Sequence, residues 1–73
     1  MKEFDMKIMS ERLRTLRAER GIGQNALAEA LELSNASISY WENGKQEPSV
    51  RAIYKLAVFF DVPTDYLLGL IDD

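Results

Sequence analysis

Apolar residues recur along the chain at the three- and four-residue spacings of α-helices, and no stretch alternates as a strand does. Met9, Leu13 and Leu16 lie at positions i, i+4 and i+7, so they form one stripe of a helix. The same stripe returns near the other end of the chain, at Ile53, Leu56, Ala57 and Phe60. The pattern therefore predicts an all-α protein.

Glycines and small polar residues mark where the helices begin and end. Gly21 and Gly69 are typical helix C-caps, whereas Ser34 and Ser49 are typical N-caps. These signals predict one domain over residues 1–73, with a frayed N-terminus and five helices. The frayed segment is 1–6, and the helices are 7–20, 24–31, 35–42, 49–60 and 64–68.

Composition removes several classes of function. The 73 residues contain no cysteine and no histidine, which removes the usual thiol nucleophile, general base and transition-metal ligand. The acids lack the spacing of a calcium loop, and no glycine-rich phosphate loop is present. We therefore expect no enzymatic activity, no metal ion and no cofactor. No signal peptide or membrane span is visible either, which predicts a cytoplasmic protein.

The charge distribution leaves nucleic acid open as a partner, although the net charge is −3. The last 13 residues carry four aspartates and no base, so residues 1–60 carry nine bases against eight acids. The acidity is therefore concentrated at the C-terminal end, and the rest of the chain can present a locally positive face.

Small uncharged side chains dominate the third predicted helix. Its only large apolar residues are Ile38 and Trp41, of which Trp41 is expected in the core or an interface. A helix with so little apolar surface is not built mainly to fill a core, and its small N-terminal residues let it approach another surface closely. Its N-terminal N–H groups favour phosphate. Helices 2 and 3 therefore predict a helix-turn-helix whose third helix enters the major groove of DNA.

The sequence resembles the phage-repressor/Cro type of helix-turn-helix, the Xre family, over residues 8–70. The resemblance rests on an ordered set of segments: 24–31, 33–34, 37–39, 41–45, 48–49, 56–57 and 62–69. It implies a compact five-helix bundle of the lambda-repressor type that binds palindromic operator DNA as a dimer. It also implies a transcriptional regulator, most often a repressor that blocks polymerase.

The resemblance implies a set of DNA-contacting residues as well. The base-contacting positions are Ser34, Asn35, Ala36, Ser39 and Tyr40. The positions that contact the DNA backbone are Gln24, Asn25, Ser37, Asn43, Lys45, Gln46 and Arg51, with Lys55 as a further nearby charge. Arg17 and Glu42 match a structural ion pair of the family. Asn35 suits adenine, because its amide can pair with both N6 and N7.

Each of these roles has a structural alternative. Gln24 fits a solvated first-turn position, Ser34 and Asn35 fit capping roles, Ala36 is a good helix former, and Tyr40 fits the edge of a core. Lys45 and Arg51 are also compatible with ordinary surface charges. The arginines of the first helix spread around it, which predicts a mostly solvated set: Arg12, Arg14, Arg17 and Arg20.

Two further expectations concern the turn and the partner. Glu32 occupies a turn position that is often glycine in the family, and a positive φ there would cost about 1 kcal/mol. Tyr66, Leu70 and Ile71 are candidate homodimer contacts, although chance exposure explains Leu70 and Ile71 equally well. The second function class is a protein-interaction module on the same fold, such as an antitoxin or an anti-repressor partner, which the acidic C-terminal end favours.

Overall fold

The computed structural model describes residues 3–72, and within them the chain forms five α-helices and no β-strand. The helices are α1 (Met6–Arg20), α2 (Gln24–Leu31), α3 (Asn35–Glu42), α4 (Val50–Phe60) and α5 (Thr64–Leu68). This is the expected all-α, five-helix class.

Two helix starts differ by one residue from the sequence-based prediction. Helix α1 begins at Met6 rather than at residue 7, because the Asp5 carboxylate accepts a hydrogen bond from the Lys7 N–H at 2.9 Å and caps the helix. The expected frayed segment therefore does not extend to Met6, and residues 1 and 2 lie outside the described part of the chain. Helix α4 begins at Val50, because Ser49 is its N-cap.

The core lies where α1 and α2 meet the three later helices. Helix α1 packs on α3 and α5, α2 packs on α3 and α4, and α4 packs on α5. The largest fully buried side chains come from all five helices: Met9, Leu13, Leu27, Ile38, Leu56 and Leu67. Trp41 is 5% exposed and belongs to the same core, which confirms the core alternative for that residue.

The turn from α2 to α3 passes through Glu32 in the left-handed conformation, with φ 57° and ψ 44°. The N–H of the next residue, Leu33, bonds the Ala28 carbonyl at 2.8 Å and closes the end of α2. A glutamate in this conformation costs on the order of 1 kcal/mol relative to glycine. Asp61 ends α4 in the same conformation, with φ 55°, and the sequence gave no sign of it.

The first-helix arginines have specific partners, which the prediction of a solvated set did not include. Arg14 and Arg20 are indeed exposed, but Arg20 lies 5.6 Å from the centres of the Phe59 and Phe60 rings. Arg12 donates to the Tyr66 and Ile71 carbonyls, and its guanidinium lies 4.4 Å from the centre of the Tyr66 ring. Because α1 packs on both α3 and α5, a long side chain on either flank reaches a neighbouring element.

One stripe of α1 holds the C-terminal end of α3. Ser10 is buried, and its hydroxyl donates to the Trp41 carbonyl at 2.6 Å. Arg14, one turn later, donates to the Glu42 carbonyl. Arg17 follows and binds the Glu42 carboxylate with two nitrogens, at 2.6 and 2.9 Å. These spacings of four and three residues place all three donors on one face of α1.

The Glu42 carboxylate is the centre of this network. The residue is 2% exposed, and Gln24 adds a third hydrogen bond to the carboxylate at 3.1 Å. Burial alone would raise the pKa of Glu42, but the hydrogen bonds from Arg17 and Gln24 and the charges of Arg17 and Arg14 outweigh it and lower that pKa. Glu42 is therefore ionised at neutral pH and binds α1, α2 and α3 together, so the predicted Arg17–Glu42 pair is present.

Breaking this pair from one side should cost far more than replacing both partners. We expect Arg17→Met to lower the free energy of unfolding by about 3 kcal/mol, because it leaves a buried carboxylate without its main partner. The double variant Arg17→Met/Glu42→Leu should recover at least about half of that loss, since no buried charge then remains. Urea unfolding of both single variants and the double variant measures the coupling. Additive losses would show that the pair is not coupled.

Acid should destabilise the protein through Glu42. Because its pKa is lower in the folded state than the ordinary value of 4.5, its contribution is fully present above about pH 4.5 and is lost as the pH falls through the folded pKa. Urea unfolding between pH 7 and pH 3 should therefore show a steeper loss of stability in the parent chain than in Arg17→Met/Glu42→Leu. Equal losses below pH 4.5 in both proteins would assign the acid sensitivity to other carboxylates.

Candidate nucleic-acid interface

Helix α3 has one face in the core and one face in solvent. Ile38 is fully buried, whereas Asn35 and Ala36 are exposed and Tyr40 is 41% exposed. Ser39 is half-buried between the two faces. Within residues 3–72 no segment covers the outer face, so the side chains expected to read bases are free to meet another molecule.

Two serines shape the N-terminal end of α3. The Ser34 hydroxyl oxygen accepts the Ser37 N–H at 3.1 Å, and the two hydroxyls bond each other at 2.8 Å. The capping alternative for Ser34 is therefore realised. The N–H groups of Asn35 and Ala36 precede the first intrahelical bond, which is between the Ile38 N–H and the Ser34 carbonyl. They are the donors that α3 offers at this end.

At the C-terminal end of α3, the Asn43 side chain is engaged with the helix itself. Its amide nitrogen donates to the Ser39 carbonyl at 2.9 Å and lies 3.3 Å from the Ser39 hydroxyl oxygen. Any phosphate contact by Asn43 has to share that amide with Ser39. Asn43 thus acts first as a cap that closes the helix.

The remaining predicted backbone-contacting residues surround α3. Asn25 is exposed at the start of α2, and the loop residues Lys45 and Gln46 are exposed beyond Asn43. Arg51 is exposed in the first turn of α4. Gln24 is half-buried because its amide donates to Glu42, so it braces α3 from the first turn of α2 and is not simply solvated.

Lys55 is not free for phosphate in this structure. Its ammonium donates to the Leu31 carbonyl at 3.0 Å and satisfies one of the last carbonyls of α2. This bond joins residues 24 positions apart, and no local sequence signal indicates it. The nearby-charge expectation for Lys55 is therefore replaced by a capping role.

The candidate dimer residues lie at the far end of the chain. Tyr66 is half-buried against Arg12 and the core, whereas Leu70 is 61% and Ile71 38% exposed. Phe4, 47% exposed, borders the same region and lines with Leu70 a pocket of about 290 Å³. The structure thus brings Phe4 into a patch that the sequence analysis built from the C-terminal residues alone.

Two searches of residues 3–72 had negative results. None of the helices there has the length and apolar character that crossing a membrane requires. The acidic side chains of the same residues form no group of three or more that is placed to hold a metal ion.

Sequence comparison places the chain among transcription regulators. The helix-turn-helix family profile HTH_3 matches residues 13–67. The activator BcrR of Enterococcus faecalis is 39% identical over 82% of this chain, and the regulator ImmR of Bacillus subtilis 34% over 84%. The CTXphi repressor RstR of Vibrio cholerae is 32% identical over 85%. These matches cover 29%, 48% and 56% of the three relatives, so the chain spans about half of their length or less.

Solved structures show the same fold. The P22 c2 repressor bound to a synthetic operator superimposes with a TM-score of 0.80 and 36% identity, covering 84% of this chain and 92% of that one. The restriction-modification controller C.AhdI of Aeromonas hydrophila gives a TM-score of 0.79 and 32% identity, with 86% and 96% covered. The chain therefore belongs to the HTH_3 helix-turn-helix family, whose relatives of the Xre, phage-repressor type are DNA-binding transcription regulators and not enzymes.

Proposed function

We propose that this chain is the sequence-specific DNA-binding domain of a transcriptional regulator, with α3 in the major groove. The observation that carries the proposal is the solvent-exposed, uncharged face of α3, held at its C-terminal end by Ser10, Arg14 and Arg17. A probe that reads base edges has to be both accessible and rigidly placed. The operator bound to the P22 c2 repressor, a structure with the same fold, supports the same use here.

In this proposal Asn35, Ala36 and Tyr40 carry most of the base contacts, with Ser34 and Ser39 at the two ends of the reading face. Asn35 pairs with adenine, Ala36 meets a thymine methyl group, and the Tyr40 hydroxyl bonds a base or a phosphate. Contacts to the DNA backbone come from the surrounding residues Gln24, Asn25, Ser37, Asn43, Lys45, Gln46 and Arg51. Occupation of a promoter by such a domain represses transcription by excluding polymerase, and it takes place in the cytoplasm, where bacterial and phage promoters are.

The proposed assembly is a homodimer on a palindromic operator. Two copies then place their α3 helices in successive major grooves, about 34 Å apart. The molecule measures 36 × 23 × 20 Å, so two adjacent copies can span that distance. The exposed apolar patch of Phe4, Leu70 and Ile71, with Tyr66 at its edge, is the proposed contact surface, because burying it between copies removes apolar area from water.

A second candidate function is a protein-interaction module. A stripe on α4 favours it, since Val50, Tyr54 and Val58 are 85%, 67% and 63% exposed at spacings of four residues. A partner helix could cover such a stripe. This candidate predicts tight binding to a co-encoded protein and negligible affinity for DNA in its absence.

Asn35 should determine sequence preference, whereas Asn25 should not. We expect the parent chain to select a discrete site from a random duplex library. Asn35→Ala should then weaken binding to that site by about 1–3 kcal/mol and relax the preference at one base pair per half-site. Asn25→Ala is the matched control and should weaken binding equally on all sequences. Retention of the full preference by Asn35→Ala would contradict the base-reading role.

Charges placed in the C-terminal patch should separate the dimer. We expect Leu70→Lys/Ile71→Lys to sediment as a monomer and to protect only half of the selected site, because burying two ammonium groups is strongly unfavourable. Val58→Lys, on the α4 stripe, should leave both properties unchanged. A dimer that survives the C-terminal substitutions but is lost in Val58→Lys would move the interface to α4.

A further inference from the structure

A groove of about 390 Å³ lies between the N-terminal half of α1 and the end of α3. Its α1 wall contains Lys7, Glu11 and Arg14, and its other wall contains Asn43 and Gly44. Asn43 is one of the proposed DNA-backbone contacts, and exposed Lys45 follows directly. The groove is therefore continuous with the proposed DNA-binding surface, although its α1 wall took no part in the sequence-based assignment.

The groove has two available cations. Lys7 and Arg14 are seven positions apart on α1, so they lie on one face, and both are exposed. In residues 3–72 the Lys7 ammonium has no hydrogen-bond or ion-pair partner, and the Arg14 guanidinium bonds only the Glu42 carbonyl. Several of its N–H donors thus remain available. Glu42 adds no free charge, because its carboxylate is bound by Arg17.

The surface around α3 lacks cations of its own. From α2 to the first turn of α4, only Lys45 and Arg51 are basic, against the exposed acids Glu29, Glu32 and Glu47. Affinity for a DNA backbone depends on neutralising phosphates with cations. A binding surface with this local balance needs a further basic contribution, and Lys7 and Arg14 lie nearest to the loop that follows α3.

We propose that this groove receives a phosphate of the DNA backbone, with Lys7 and Arg14 as its cationic contacts. The inference rests on the proposed function and extends the backbone contacts to α1. Arg14 holds the Glu42 carbonyl and the phosphate together, so it also links the backbone contact to the end of α3. Glu11 lies in the same groove and opposes the phosphate, and its charge weakens DNA binding.

The salt dependence of DNA binding tests this assignment. The logarithm of the association constant falls linearly with the logarithm of salt concentration, with a slope of about −0.9 per neutralised phosphate. If each cation neutralises one phosphate, Lys7→Gln and Arg14→Gln should each reduce the steepness by about 0.9, and the double variant by about 1.8. Specific and non-specific duplexes should be affected alike, because phosphate contacts carry no sequence information.

Three further variants separate charge from structure. Arg14→Lys keeps the charge and should restore most of the slope, even if the bond to Glu42 weakens. Glu11→Gln should bind DNA more tightly than the parent at low salt, a gain that a merely structural role would not produce. Arg20→Gln removes a cation that lies against the Phe59 and Phe60 rings and should leave the slope unchanged. Thermal melting verifies that each variant is folded.

An unchanged slope in Lys7→Gln/Arg14→Gln would overturn the groove assignment while leaving the proposed function intact. The assignment is equally overturned if Arg20→Gln reduces the slope as much as Lys7→Gln does, or if Glu11→Gln binds no more tightly. Absence of DNA binding by the parent chain at 50 mM salt, a condition chosen to favour phosphate contacts, would overturn the proposed function and this inference together.

Discussion

The buried carboxylate of Glu42 is the constraint on which the arrangement of this molecule depends. Helix α3 is only 8 residues long and has little apolar surface, so neither its length nor its packing fixes it firmly. Arg17 from α1 and Gln24 from α2 bind the Glu42 side chain, and Ser10 and Arg14 bind the carbonyls of the last two residues of the helix. The orientation of α3 is therefore set by its C-terminal end, which leaves its outer face free of structural duties.

This arrangement separates two tasks that compete on a short helix. A recognition helix with a larger apolar face would hold itself in place by burial, but it would have fewer positions for reading DNA. Here Ile38 and Trp41 supply the apolar contact, and the ionic network supplies the rest of the positioning. Specificity then comes from uncharged side chains on α3, whereas cations on other elements supply affinity. Such a division is physically sensible, because base contacts need geometry and phosphate contacts need charge.

Local sequence signals predicted the helices well, because each helix is bounded by a residue whose own chemistry caps it. Ser34, Ser49, Gly21 and Gly69 all act as caps in the structure. The exposed outer face of α3 also followed from its composition. The Arg17–Glu42 pair came from a family resemblance and not from periodicity.

The contacts that the sequence did not indicate join residues far apart in the chain. Arg12 bonds the Tyr66 carbonyl, 54 positions away, and Lys55 caps α2 from α4. The groove that brings Lys7 beside Asn43 likewise depends on how α1 crosses the end of α3. A pattern of spacings carries no information about such crossings, so the partners of long polar side chains need coordinates.

The central claim is that the outer face of α3, fixed through Glu42, is the surface that reads DNA. Titration of the isotopically labelled chain with its selected duplex, followed by amide NMR shifts, tests this claim directly. We expect the largest shifts at residues 34–40 and in the following loop, with little change along the exposed stripe of α4. Large shifts on α4 together with an unaffected α3 would contradict the account.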